Sequence, residues 1–350
     1  MGGGKKISDD FSRREFIGKA AGSVLGLMGL AVAGPAGAHA SPGVGGVSEA
    51  RTRTGRPKVV VARDEGIWNG SRLDDVRVRE LVFRAVRELS GKEDDGQAWA
   101  EYFDRGERVS IKLNLIAGRI LSSTPAVAKA ITGGIMLAGV DGRGIAAWDR
   151  YGWELRVAGF KPGRDENGVM YTSTDDSAVG YETELSEWGE VGSLVSRLVS
   201  RFGTAIVNVP VLKDHDLAGL SGALKNYYGA INNPNKLHEN ACNPYVADLN
   251  MIPFFKDKTR LIICDGTTAQ YHGGPGYKPK FAWRFSGVIA GTDPVAVDTV
   301  CADLIDRKRV EQGLPTLEKE GRPPLYIRTA GDADHRLGEC ELEKIDVVEV

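Results

Sequence analysis

Short β-branched runs alternate along the chain with stretches whose apolar residues recur at helical spacing. Residues 58–62 (Lys-Val-Val-Val-Ala) read as a buried strand. Val76, Val78, Leu81, Val82, Ala85, Val86 and Leu89 then fall near a 3.6-residue period and predict a helix over 74–89. Residues 109–114 alternate and predict a second strand. Thr124-Pro125 opens a helix to about 138, with proline at the first helical position, where its missing N–H is not needed. Residues 144–148 predict a third strand that ends at Asp149. Farther on, the pattern predicts a helix over 191–202, a strand over 204–210, a loop followed by a helix in 211–231 and a short helix over 245–251. Strands follow at 260–264 and 285–290. A helix capped by Asp293 then runs to about 305, and strands at 325–329 and 345–350 complete the pattern. Residues 160–181 are polar and turn-rich, as in an insertion or a cleft-edge loop.

Apolar strands alternating with amphipathic helices imply an α/β fold: a mixed, mostly parallel sheet with helices on both faces and room for a second lobe. There is no repeat of 20–50 residues and no internal linker, so 58–350 reads as a single α/β domain.

The first forty residues follow a different pattern. Ser12-Arg13-Arg14-Glu15-Phe16-Ile17 precedes a Gly/Ala-rich apolar run over 20–33, and Ala38-His39-Ala40 offers small residues to a signal peptidase. Together they predict a twin-arginine signal peptide over 1–40, with Arg13 and Arg14 as its motif and cleavage after Ala40. The run is too short and too rich in glycine to span ~30 Å of hydrocarbon, which disfavours a membrane anchor. Residues 41–57, mostly Gly, Ser, Pro and Arg, read as a flexible leader. The expected partner is the twin-arginine translocase. The expected location is the periplasm or the outside of the cell, with no integral membrane segment after cleavage. Proteins on this route travel folded, often because a metal or other cofactor is inserted first.

Charge narrows the partners. The chain of 350 residues holds 45 Lys and Arg against 47 Asp and Glu, a net charge of −2. Removing a segment with five basic and three acidic side chains leaves the remainder near −4. No positive field exists to draw it to nucleic acid or anionic lipid. Four cysteines lie far apart with no C-x-x-C pair, which excludes a ferredoxin-type iron–sulfur motif or a zinc ribbon and leaves the cofactor unknown. Cys264 and Cys301 read as small buried hydrophobes.

Candidate chemistry gathers where strands end, the place at which open α/β sheets bind ligands. Lys112 and Asn114 close the second strand, and Ser123 and Thr124 open the next helix, where free N–H groups favour an anion. Their plainer role is helix capping. The densest group is Asn208, then Lys213, His215, Lys225 and Asn226 among several glycines. Lys213, His215 and Lys225 are the candidate catalytic residues, offering positive charge and proton transfer. Lys112, Asn114, Ser123, Thr124, Asn208, Asn226, Asp265 and His272 are the candidate ligand-binding residues. Taken singly, each lysine or histidine reads as a solvated loop residue; the set together favours function. No P-loop, G-x-S-x-G, H-E-x-x-H or G-x-G-x-x-G motif is present. Two functions fit: an exported enzyme acting on a small anionic substrate, with or without a metal or other cofactor, and a non-catalytic periplasmic binding or redox-accessory protein. Convergence of the polar groups on one pocket favours the first, and scatter over the surface favours the second.

Several stretches resemble the domain of unknown function 362 family. They are residues 109–114, Ser123-Thr124-Pro125, the run from Val209 to His215, Leu220-Ser221-Gly222-Ala223-Leu224-Lys225-Asn226-Tyr227-Tyr228-Gly229, Asp265-Gly266, and Gly291 to Asp298. Some members of that family carry ferredoxin-like cysteine modules and are labelled iron–sulfur proteins. This chain lacks those cysteines, so the resemblance implies no cluster here.

Overall fold

Residues 55–350 are described by a computed structural model; the Arg13-Arg14 motif, the cleavage site after Ala40 and leader residues 41–54 lie outside the described residues. The principal strands are β1 (Lys58–Arg63), β2 (Val109–Lys112), β3 (Ile145–Asp149), β4 (Met170–Ser173) and β5 (Ala205–Asn208). They continue with β6 (Val211–His215), β7 (Thr259–Gln270), β8 (Gly287–Gly291) and β9 (Asp346–Glu349). All but β6 stand side by side in the order β9-β1-β8-β7-β5-β2-β3-β4. Within that row only β8 opposes its neighbours, pairing antiparallel with both β1 and β7. The other contacts are parallel, so the sheet is mixed and mostly parallel, as the hydrophobic pattern implies.

Helices α1 (Asp75–Ser90), α2 (Pro125–Leu137), α3 (Gly152–Ala158), α4 (Ala223–Asn226), α5 (Tyr245–Met251), α6 (Pro294–Glu311) and α7 (Leu325–Ala330) complete the frame. The period-2 geometry of a strand sends alternate side chains to opposite faces. Val60, Ala62, Ala147 and Ile263 therefore join a core with Leu81 and Val82 of α1 and Val127 and Ile131 of α2. Val59, Val61, Trp148 and Ile262 join a second core with Leu224, Val297, Val300 and Tyr326. Both faces are covered, which is why these strands read as continuous apolar runs. Asp74 caps α1 through the Val76 and Arg77 N–H groups, and Asp293 caps α6 through Val295 and Ala296. Cys264 and Cys301 are buried as free thiols. Among the described residues no helix is long and apolar enough to cross a membrane.

Four segments differ from the sequence pattern. Residues 191–202 form a strand, Val191–Ser193, and a separate π-helical turn, Leu198–Phe202, rather than one helix. Their backbone groups are claimed from outside: the Leu194 N–H goes to the Asn232 side chain and the Ser196 N–H to the Ala230 carbonyl. Residues 325–329 are helical instead of extended, because a short apolar run after two prolines satisfies either period and α7 buries Tyr326, Ile327 and Ala330. The stretch over 160–181 supplies β4 to the sheet, with Gly163–Arg164 paired outside it. Within 211–231, residues read as loop form β6, because β7 runs past the end of β5 and offers β6 a free edge.

The connections position the site. From β2 the chain steps through α2 to β3, then on to β4; it returns to lay β5 on the opposite side of β2. Winding direction therefore reverses between β2 and β5, and the loops leaving these two strands diverge to leave a crevice beyond their carboxyl ends.

Candidate active site

The carboxyl ends of β2, β3 and β5 bring Lys112, Asp149 and Asn208 to one edge of the sheet. Lys213 and His215 are two residues apart on β6 and share one face of it, with Asp214 on the other. Helix α4 adds Lys225 and Asn226, and its first N–H groups, those of Ala223 and Leu224, are held by the Asp298 carboxylate of α6. A cavity of about 350 Å³ results. Lys112, Asn114, Lys213, His215, Lys225 and Asn226 all line it. Asp149, Arg150, Glu154, Tyr228 and His238 line it too, and sequence reasoning assigned none of these a role.

The three lysines differ in their partners. Lys112 is 1% exposed and donates to Asp149 Oδ1 at 2.7 Å, the Leu113 carbonyl at 2.5 Å and Asn226 Oδ1 at 3.3 Å. It is a fully answered ammonium that ties β2 to β3. Lys213 is wholly enclosed and donates to Asn114 Oδ1 at 2.7 Å, with no carboxylate in contact. Burial, opposed by Asp149 and Glu154, lowers its pKa from 10.5 to about 7. Lys225 keeps 7% of its surface and lies 4.2 Å from the Tyr228 ring centroid, and its Nζ is 3.1 Å from His238 Nε2. Burial lowers it to about 8.

His238 Nδ1 donates to the Pro234 carbonyl at 2.9 Å, which leaves Nε2 as the acceptor facing Lys225. His215 Nδ1 accepts from the Leu217 and Ala218 N–H groups at 3.2 Å. Burial and then Lys225 push His215 far below the usual histidine range, so the ring is neutral and Nε2 carries its proton. Glu154, on α3, is 5% exposed, and no described residue hydrogen-bonds its carboxyl group. Burial and then the nearby Asp149 charge raise it to about 7. The cavity thus gathers a carboxyl group and two amines that all change charge within about a unit of neutrality.

The remaining predicted residues lie elsewhere. Asn208 stands behind the wall, accepting from Asn226 Nδ2 at 2.7 Å and donating to the Ala223 carbonyl at 2.8 Å. Ser123 accepts from the Asn114 N–H at 2.8 Å and donates to the Val209 carbonyl at 2.7 Å, so it fixes the loop that carries Asn114. Thr124 caps α2 and bonds Asp265 Oδ2 through its own N–H and hydroxyl. The other oxygen of Asp265 accepts from the Thr267 N–H and hydroxyl, so this carboxylate is satisfied inside the protein. His272 meets the Arg309 guanidinium 3.2 Å away, outside the cavity wall. Among the described residues no three His, Cys, Asp or Glu side chains gather as a metal ion would require.

Asp149 could have been found by the rule that found Lys112, because it too ends a strand. Glu154 and His238 carry no such signal: one lies on a short helix and the other in a loop, and only the fold turns them inward.

A family model described as domain of unknown function (DUF362) matches residues 109–303, more than half of the chain. The chain belongs to the DUF362 family. The match spans β2 through most of α6 and so contains every cavity residue named above. No curated protein matches this DUF362 chain.

The DUF362 cavity is maintained at a cost in stability. Lys213→Met is expected to stabilise the protein by about 1–4 kcal/mol at pH 6, read by urea denaturation. Below pH 7 the native ammonium bears its full desolvation cost. Between about 7 and 10.5 the native amine is neutral while the unfolded one stays protonated, so wild-type stability rises with pH over that window. The gain from methionine must therefore shrink by pH 9. A gain that grows with pH would contradict the burial of this amine.

Proposed function

We propose that this DUF362 chain is an exported enzyme that binds a small anionic molecule in the cavity and moves protons on it. The observation that carries this reading is the meeting of Lys213 and Lys225, two buried amines without a carboxylate partner, in one cavity. Arg150 adds a guanidinium whose hydrogen bond goes to the Asn232 carbonyl rather than to an acid. An anion supplies the charge these groups lack. Glu154, titrating near neutrality, is the general acid or base, and the neutral His215 offers its Nε2–H to an oxygen on which charge develops. Asn114 and Asn226, bonded to each other at 3.1 Å, orient polar groups. Convergence on one cavity favours an enzyme over a binding or redox-accessory protein. Export through the twin-arginine translocase to the periplasm or beyond belongs to the same proposal and is supported by Arg13-Arg14 and Ala38-His39-Ala40.

The test uses protein purified from its export route, incubated in D₂O with small carboxylic acids and phosphate esters. Proton NMR is expected to show loss of a carbon-bound proton signal from at least one compound, slowed about 100-fold or more by Glu154→Gln. No exchange, together with thermal protection that is equal in wild type and in the Lys213→Met/Lys225→Met variant, would overturn the proposal.

A further inference from the structure

Lys225 differs from the other two cavity lysines in how its nitrogen is held. Lys112 is locked by a carboxylate, a carbonyl and an amide oxygen, and Lys213 has no exposed surface. Lys225 keeps the most exposed surface of the three, 7% of the residue, and touches a base, His238 Nε2 at 3.1 Å. That base is itself aimed by a third group, the Pro234 carbonyl at 2.9 Å from Nδ1. A nucleophile within hydrogen-bond reach of a base, with the base oriented from behind, is the arrangement by which proteins activate weak nucleophiles. The Tyr228 ring beneath the amine is fixed in turn, its hydroxyl donating to the Leu237 carbonyl at 2.6 Å.

We propose that Lys225 forms an imine with a small oxo acid, an aldehyde or ketone that also bears a carboxylate, and that His238 is the base that takes the amine proton. This rests on the anion-binding reading above and deepens it by naming the substrate class. The neutral amine of Lys225 attacks the carbonyl carbon, forming the C–N bond and placing the π electrons on oxygen. One proton passes from nitrogen to His238 Nε2, and the alkoxide takes another from the Glu154 carboxyl group. The carbinolamine hydroxyl then accepts the proton held by His238 and leaves as water, while the nitrogen lone pair completes the C=N bond. The products are an iminium ion, water, neutral His238 and ionised Glu154; no electrons enter or leave. The iminium ion acidifies the neighbouring carbon, which suits a site built to move protons.

The test is glyoxylate with sodium cyanoborohydride at pH 7.5, followed by intact-mass measurement and peptide mapping, with sulfate as competitor. One carboxymethyl group is expected on Lys225, introduced about tenfold or more faster than on any surface lysine and suppressed by sulfate. His238→Ala is expected to slow labelling about tenfold, and added imidazole to restore it, which a purely structural histidine would not allow. Thermal melting of each variant checks that it folds, and Lys225→Arg must abolish the label. If sulfate protects against melting but Lys225 labels no faster than surface lysines, imine formation is overturned and anion binding stands. If sulfate neither protects nor competes, both readings fall.

Discussion

Asp149→Ala is expected to destabilise the protein by about 3–5 kcal/mol, because it leaves the Lys112 ammonium buried without its counter-charge. The two side chains meet at 2.7 Å and are almost entirely enclosed, so water is a poor substitute for the lost carboxylate. The second Asp149 oxygen accepts from the Leu115 N–H at 2.7 Å, and that donor is orphaned by the same change. Adding Lys112→Met is expected to recover part of the loss, since the uncompensated charge disappears with its partner. Urea denaturation of the single and double variants measures both effects. A single-variant loss below about 1 kcal/mol would mean that the pair is solvated and contributes as little as an exposed ion pair.

Sulfate affinity is expected to fall about 100-fold or more between pH 6 and pH 9, a span over which sulfate itself does not titrate. Three changes act in the same direction. Lys213 loses its charge near 7 and Lys225 near 8, so the cavity gives up two cations as pH rises. Glu154 gains a negative charge near 7. Each pH unit beyond a required group's pKa lowers affinity about tenfold for that group, and binding at neutral pH takes up protons. Calorimetry in buffers of different ionisation enthalpy reads the proton uptake directly. In Glu154→Gln the pH dependence must become shallower while keeping its sign. Flat affinity across this range would place the anion away from these three groups.

The strands and the larger helices were legible because burial on both faces writes itself as short apolar runs, and because Asp74, Thr124-Pro125 and Asp293-Pro294 mark helix starts by simple capping chemistry. β6 was not legible: it depends on the edge left by β7, a partner more than forty residues away in sequence. In the site, residues next to strand ends were found in part. Lys112, Asn114, Lys213 and His215 lie where the rule places them, and Lys225 and Asn226 follow within one turn of helix. Asp265 and Thr124 obey the same rule yet satisfy each other, because spacing cannot tell a carboxylate facing a cavity from one facing a hydroxyl. Glu154 and His238 were missed for the opposite reason, being ordinary surface types in sequence that the fold turns inward, burying the first and half-burying the second.

Helix α6 carries more than its place in the core. Near its start, Asp298 secures the N–H groups of α4 and hence Lys225. Near its end, Arg309 grips Glu320, which binds Arg322, which in turn bonds Asp214 between Lys213 and His215. The two amine-bearing walls therefore hang from one beam, about 11 residues apart along it, or roughly three turns. Melting of the whole beam would slacken both at once, whereas fraying of its last turn would loosen only the wall that carries Lys213 and His215.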